Sequence, residues 1–305
     1  MTEPVFFTTP EAKLRPGQVV RLDGDEGHHA ADSFRLRPGE VIDLVNGLGG
    51  RASGTVQAVA AGQVDVRINA VNNELPPAQP IWLVQGLAKH KRDEQAVSAA
   101  VELGVDRVIP WQAERSVVRW PTGRAEANQA RWAALVKAAT KVARRAYLPP
   151  VEPLVTTSQL IDRFASAQTS SEPQLAAETT GWPTLLPTAV PAVPAVPAES
   201  TFAPMGQAAG FDRALVPTVL VLHEAANLGL VQWFDNWQAA SKPNSVLVLV
   251  VGPEGGISQA ELSAFQQHLK AEMVNLGRNV LRSSTAGPAA IAALCALTGR
   301  WSNLP

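Results

Sequence analysis

The sequence predicts an α/β protein in two parts, a small β-barrel followed by a larger domain built on a parallel sheet. Three observations carry this. Short, alternating strands separated by Gly, Asn and Pro turns fill the first 75 residues. From Ile81 onward apolar strands alternate with helical segments, the pattern of a parallel sheet. Near the C-terminus two glycine-bearing loops follow buried strands, the place where α/β proteins put their ligands.

The strands of the first part are Gln18–Leu22, Val41–Val45, Gly54–Val59 and Gln63–Ile68, with a helix from Glu26 to Arg35 stopped by Arg37-Pro38-Gly39. Three prolines within residues 76–80 make that segment a linker, since proline cannot continue a ladder. The second part, 81–305, opens with a strand over Ile81–Leu87. It continues with a helix from Arg92 to Leu103 stopped by Gly104, a strand over Arg107–Trp111 and an alanine-rich helix from Asn128 to Arg145. Between about 166 and 215 the periodicity vanishes and Ala-Val-Pro repeats, which predicts an exposed insertion in extended polyproline geometry. After it come a strand over Thr218–Leu222, a helix around Leu228–Ala240, a strand over Val246–Val251 and a helix from Ser258 to Leu269. A short strand ending near Asn275 and a helix over Gly287–Leu297 complete the chain.

With 46% hydrophobic and 17% charged residues in 305, disorder throughout is excluded. The N-terminus has no basic region leading into an apolar stretch, and no apolar run approaches the roughly 18 residues of a membrane span, so the expected location is cytoplasmic. The lone cysteine, Cys295, sits in an apolar helical pattern and reads as a core residue. No metal site is predicted, because the five histidines show no ligand spacing; adjacent His28 and His29 point to different faces. The net charge of −1 hides an uneven distribution. Between Arg115 and Arg145 eight basic residues face a single acid, Glu126, for 8 − 1 = +7, and Lys89-His90-Lys91-Arg92 lies upstream. Such a stretch is either a solvated helix face or a phosphate-binding surface.

Gly252-Pro253-Glu254-Gly255-Gly256 is neither a P-loop, which needs Lys-Ser/Thr, nor a GxGxxG turn. Its glycines allow positive φ and close approach to a ligand, and Ser258 with Glu261 forms a capping box for the helix that follows. This loop, together with Asn275-Leu276-Gly277-Arg278-Asn279-Val280-Leu281-Arg282 and Leu222-His223-Glu224, resembles the ribosomal RNA small subunit methyltransferase E family (RsmE). These are SPOUT-class, trefoil-knotted enzymes that methylate a uridine of small-subunit ribosomal RNA at N3. The likeness extends to Asp23–His29, Arg35–Glu40, Glu102–Val105 and Glu114–Val118, leaving only about 166–215 outside it.

The resemblance implies a PUA-like RNA-binding barrel over 1–75 and a SPOUT domain over 81–305. It further implies S-adenosylmethionine as cofactor, with S-adenosylhomocysteine as product. Homodimerisation and a substrate consisting of small-subunit ribosomal RNA or the assembled particle are also implied. Cofactor contacts would come from Leu222, His223, Glu224, Gly252, Glu254, Gly255, Gly256, Leu276, Gly277, Val280, Leu281 and Arg282. Arg282 would also stabilise the uracil anion as the catalytic residue. Arg144, Arg145, Arg115, Lys89 and Arg35 would contact RNA. The chain departs from the family where relatives carry Glu-Gln-Ser, having Lys141-Val142-Ala143. It departs also at Asp32, at Ser284, and at Lys89-His90-Lys91, which interrupts a common Lys-Gly-Asp. Two other readings stay open at this point: a knotted methyltransferase acting at another RNA position, and an RNA-binding assembly protein without turnover.

Overall fold

The computed structural model describes residues 3–10, 12–169, 215–239 and 245–302, so most of the predicted insertion lies outside the described residues. The first unit is a five-stranded mixed sheet of β1 (Val5–Phe7), β2 (Val19–Leu22), β3 (Val41–Val45), β4 (Gly50–Ala60) and β5 (Gln63–Asn73), in the order β1-β3-β4-β5-β2. β1 runs parallel to β3, and the other pairs are antiparallel. Register shifts at Ser53/Gly54 and Val56/Ala58 bend the long β4–β5 ribbon, as bulges do. Between β2 and β3 the predicted helix is shorter and more irregular than its pattern suggested: α1 (Gly24–His28) passes into a π-helical turn, His29–Ser33. β1 went unpredicted because three residues are too few to show a period.

The second unit contains β6 (Ile81–Gly86), α2 (Arg92–Leu103), β7 (Arg107–Gln112), α3 (Ala125–Val142), β8 (Val155–Thr156), α4 (Thr157–Thr169), β9 (Val216–Leu222), α5 (Leu230–Ala239), β10 (Ser245–Val251), α6 (Gln259–Leu269), β11 (Glu272–Val274) and α7 (Ser283–Leu297). The six strands are all parallel, ordered β11-β9-β10-β6-β7-β8. Central β10 is buried on both faces. Leu247, Leu249 and Val251 join Val97, Trp132, Trp233 and Ile291 on one side, while Val246, Val248 and Val250 meet Leu160, Phe164 and Phe265 on the other. An uninterrupted apolar run is what such a strand requires.

α4 corrects the expected start of the insertion at about 166, since the helix continues to Thr169. Leu160, Ile161 and Phe164, spaced three and four apart, fasten it to the sheet.

The two units are joined by polar contacts. Lys137 and Lys141 of α3 place their ammonium groups 2.8 and 2.7 Å from Glu26, whose carboxylate also accepts the Phe7 N–H. Arg51 bridges Asp43 and Glu74 and donates to the carbonyl of Arg144. The Tyr147 hydroxyl donates to the Glu74 carbonyl, and Gly49 N–H to that of Ala146. Inside the second unit the carboxylate of Asp106, 2% exposed, receives Arg145, Arg300 and the Ile81 N–H.

Arg145 is therefore a correction to the predicted RNA contacts. α3 ends in a Schellman turn, with Arg144 left-handed at φ 53°, its N–H on the Lys141 carbonyl and the Arg145 N–H on that of Thr140. That turn aims Arg145 inward, onto the carbonyls of Val101 and Val105 as well as Asp106.

Asp106→Asn leaves two buried guanidiniums without their counter-charge and is expected to cost about 3–5 kcal/mol in denaturant unfolding. Arg145→Ala, which leaves Arg300 in place, should cost less and still lower the melting temperature.

Burial alone would raise the Glu26 pKa, but the hydrogen bonds from Lys137 and Lys141 outweigh it and hold the value below the ordinary 4.5. A depressed folded-state pKa means the interaction contributes its full stability above 4.5 and loses it as pH falls through the lower value. Glu26→Gln should therefore flatten the acid limb of the stability–pH curve, measured by thermal melts between pH 6 and 3.

Candidate active site at the carboxyl ends of three parallel strands

Three loops leave the carboxyl ends of β9, β10 and β11 and meet at one cleft of about 450 Å³, within the usual ~300–1,000 Å³ range of small-molecule sites. Leu222, His223, Glu224, Gly252, Glu254, Gly255, Gly256, Val280, Leu281 and Arg282 line it. A smaller adjoining recess takes in Leu276 and Gly277. The structure thus brings together every residue predicted for the cofactor.

The loop after β9 and the end of β11 are interlocked. His223 donates its N–H to Val274, Asn275 donates to Leu228 and Leu230 donates to Asn275, while the Asn275 amide reaches the Ala226 carbonyl at 2.6 Å. The His223 imidazole accepts the Ala225 N–H at 3.1 Å, which fixes the ring in its own turn.

The glycines act through different constraints. Gly256 is left-handed, at φ 73°, and its N–H closes a turn onto Pro253. Gly255 has no positive φ; a side chain there would meet the Arg115 carbonyl at 2.8 Å. A side chain at Gly252 would meet Ile257 at 2.7 Å. The predicted capping box is present: Ser258 Oγ accepts the Glu261 N–H, and Glu261 accepts the Ser258 N–H. The second oxygen of Glu261 takes the Glu114 N–H and the Thr157 hydroxyl. Glu261 thereby also sets the position of Arg115 beside Gly255.

Arg92, Arg115 and Arg282 line the cleft, and among the described residues none forms an ion pair. Arg92 belongs to the Lys89-His90-Lys91-Arg92 cluster read in the sequence as a possible phosphate-binding surface, but the sequence did not assign it to the cleft. Lys89 is exposed at the lip, whereas Arg35 lies exposed on the N-terminal unit and does not line the cleft. Arg144 Nη1 is buried without a hydrogen-bond partner, as are Gln85 Oε1 and Ser283 Oγ. His90 and Lys91 are both left-handed, at φ 57° and 59°, a conformation costing on the order of 1–2 kcal/mol per non-glycine residue. Among the described residues, no cluster of three or more His, Cys, Asp or Glu could hold a metal. Nor is any helix among them long and apolar enough to cross a membrane.

The RNA methyltransferase domain model matches residues 75–182 and 193–295, and the RNA methyltransferase PUA domain model matches 22–69. The ribosomal RNA small subunit methyltransferase E of Mycobacterium bovis is 35% identical over 93% of this chain and 89% of its own length. The Bacillus subtilis protein of the same name is 23% identical over 95% and 94%. Among solved structures, the Neisseria gonorrhoeae ribosomal RNA small subunit methyltransferase E bound to S-adenosyl methionine superposes with a TM-score of 0.69 at 23% identity, covering 97% of this chain and 98% of that one. The fold is thus an α/β methyltransferase fold behind a PUA-like unit, and the chain belongs to the ribosomal RNA small subunit methyltransferase E family.

Proposed function

We propose that this chain transfers the methyl group of S-adenosylmethionine to N3 of a uridine in small-subunit ribosomal RNA and releases S-adenosylhomocysteine. Family membership supports the reaction class. The observation that carries the assignment to a site is the convergence of three strand-end loops, two of them glycine-bearing, on one cleft lined by Arg92, Arg115 and Arg282.

The cleft suits the cofactor. Gly252 and Gly255 let their loop pack directly against Ile257 and the Arg115 carbonyl, and the three loops line a cleft open to a flat, hydrogen-bonding ring. We assign cofactor contacts to the main chain of Leu222, Gly252, Gly255, Gly256, Leu276, Gly277, Val280 and Leu281, with His223 and Glu224 at the edge. When bound, the cofactor supplies an electrophilic methyl group on a sulfonium.

The chain's own residues handle the nucleophile. N3 of uracil carries a proton, and once it is lost the negative charge spreads onto O2 and O4. Arg282, exposed at the start of α7, offers a guanidinium and the positive end of a helix to that charge. The new N–CH₃ bond forms as the S–CH₃ bond breaks, and the N3 proton leaves to a base. RNA phosphates would be held by Lys89 and Arg115 at the cleft and by Arg35 on the PUA-like unit. The active form is proposed to be a cytoplasmic homodimer without a metal, its mass readable by light scattering.

Incubating the chain with S-adenosylmethionine and small-subunit particles or their RNA, followed by mass spectrometry of the digested RNA, should yield N3-methyluridine. Methylation at another atom, or none, would overturn the assignment. Gly255→Ala forces the Arg115 backbone away from the loop and should weaken S-adenosylmethionine binding at least tenfold by calorimetry, about 1.4 kcal/mol, in a chain that still melts cooperatively. Replacing Lys89 and Arg115 by Ala should lower the slope of log affinity for RNA against log salt by roughly 0.7–0.9 for each phosphate no longer neutralised.

A further inference from the structure

Glu254 does something other than its place in the glycine loop suggests. Its side chain is exposed on the outer lip, and both carboxylate oxygens face the backbone N–H of Lys89, at 3.2 and 3.4 Å. Lys89 opens a short turn in which His90 and Lys91 are successively left-handed without being glycine. Consecutive left-handed residues persist only where their surroundings enforce them. Here the second restraint is Asp93, 5% exposed, whose carboxylate accepts the N–H of Ala88 and of Glu94. Gly86 allows the approach, since a β-carbon there would lie 2.8 Å from the nitrogen of Pro253. Two carboxylates on either side thus hold a strained turn against the Gly252–Gly256 loop. The turn delivers Arg92, at the head of α2, to the cleft wall, with Lys89 and Lys91 exposed beside it. Among the described residues none of these three cations has an ion-pair partner.

We propose that Glu254 is a positioning residue for the RNA, its carboxylate strapping the Lys89–Lys91 turn so that Arg92 faces the phosphate next to the target uridine. The inference rests on the reading of the chain as an RNA methyltransferase. It moves Glu254 from the cofactor to the substrate side of the site. A carboxylate that accepts a backbone N–H need not be charged to do so, which separates this role from an electrostatic one. Removing the acceptor frees the turn to leave its left-handed form, and placing glycine at 90 lowers the cost of staying in it.

The test uses the full chain, S-adenosylmethionine and a fluorescent small-subunit RNA fragment containing the methylated uridine. For Glu254→Ala the expected results are RNA affinity about tenfold weaker by anisotropy, S-adenosylmethionine affinity within about twofold of wild type, and faster hydrogen exchange at the Lys89 amide, the size expected when one hydrogen bond is removed. Glu254→Gln, which keeps an acceptor oxygen, should stay close to wild type. Adding His90→Gly to Glu254→Ala, which relieves the left-handed cost at 90 and keeps every cation, should restore part of the RNA affinity. A tenfold loss of S-adenosylmethionine affinity that glycine does not rescue would make Glu254 a cofactor ligand and overturn the strap. Unchanged RNA affinity in Glu254→Ala would overturn it equally. Wild-type turnover, followed in parallel, judges the methyltransferase reading separately, because the strap is read from binding and exchange without turnover.

Discussion

One buried carboxylate holds the frame in which the cleft is built. Asp106 stands at the start of β7 and receives Arg145 from the turn after α3, Arg300 from the end of α7 and the backbone N–H of Ile81 at the start of β6. Each partner comes from a different part of the sequence, and each carries a functional element with it. The β6 strand ends in the turn that bears Arg92. α7 begins just after Arg282 and seats Gly287 so closely on the sheet that a β-carbon there would lie 3.1 Å from Leu83. The turn after α3 leads into Ala146 and Tyr147, which hydrogen-bond to the N-terminal sheet and the segment that follows it. A carboxylate 2% exposed would be destabilising alone, but two guanidiniums compensate it, and the direction of each is thereby fixed.

The same demand for counter-charge reshapes the basic stretch. Of the eight cations between Arg115 and Arg145, Arg131 pairs with Glu94, Lys137 and Lys141 with Glu26, and Arg145 with Asp106. Their counter-charges lie outside the window in which the excess was counted. Half of this basic stretch is therefore engaged in ion pairs, two of them across the seam between the units and two within the second unit. Among the described residues the cations that line the cleft, Arg92, Arg115 and Arg282, form no ion pair. Glu26 and Arg51 tie the units together through several hydrogen bonds, so the N-terminal unit is held in register with the cleft.

The fold was legible where one physical demand dominates. β10 had to be apolar throughout because it is covered on both faces, and Ser258 with Glu261 had to cap α6 because the helix starts in a buried turn. The loops of the site were legible through the resemblance, which named residues that no periodicity connects. What escaped were features set by distant partners. α4 merges in composition with the segment after it, and its amphipathic stripe is short. The inward turn of Arg145 depends on Asp106, 39 residues away in the chain. Even at Gly255 the reason for glycine lies in the carbonyl of Arg115 rather than in its own φ, a proximity that no local pattern encodes.

Left-handed residues reveal how this chain tolerates its departures from the family pattern. Lys89-His90-Lys91 stands where Lys-Gly-Asp is common, and the change falls on His90 and Lys91, both left-handed; Arg144, just after Lys141-Val142-Ala143, is left-handed as well. Arg144 is held by its own N–H on Lys141 and by Arg51 on its carbonyl, and the 89–91 turn is held between Glu254 and Asp93. In both cases tertiary hydrogen bonds outweigh a local preference of on the order of 1–2 kcal/mol per residue. The backbone path therefore belongs to the surrounding fold, and side chains at these positions can change the charge displayed at the surface while leaving the geometry of the cleft in place.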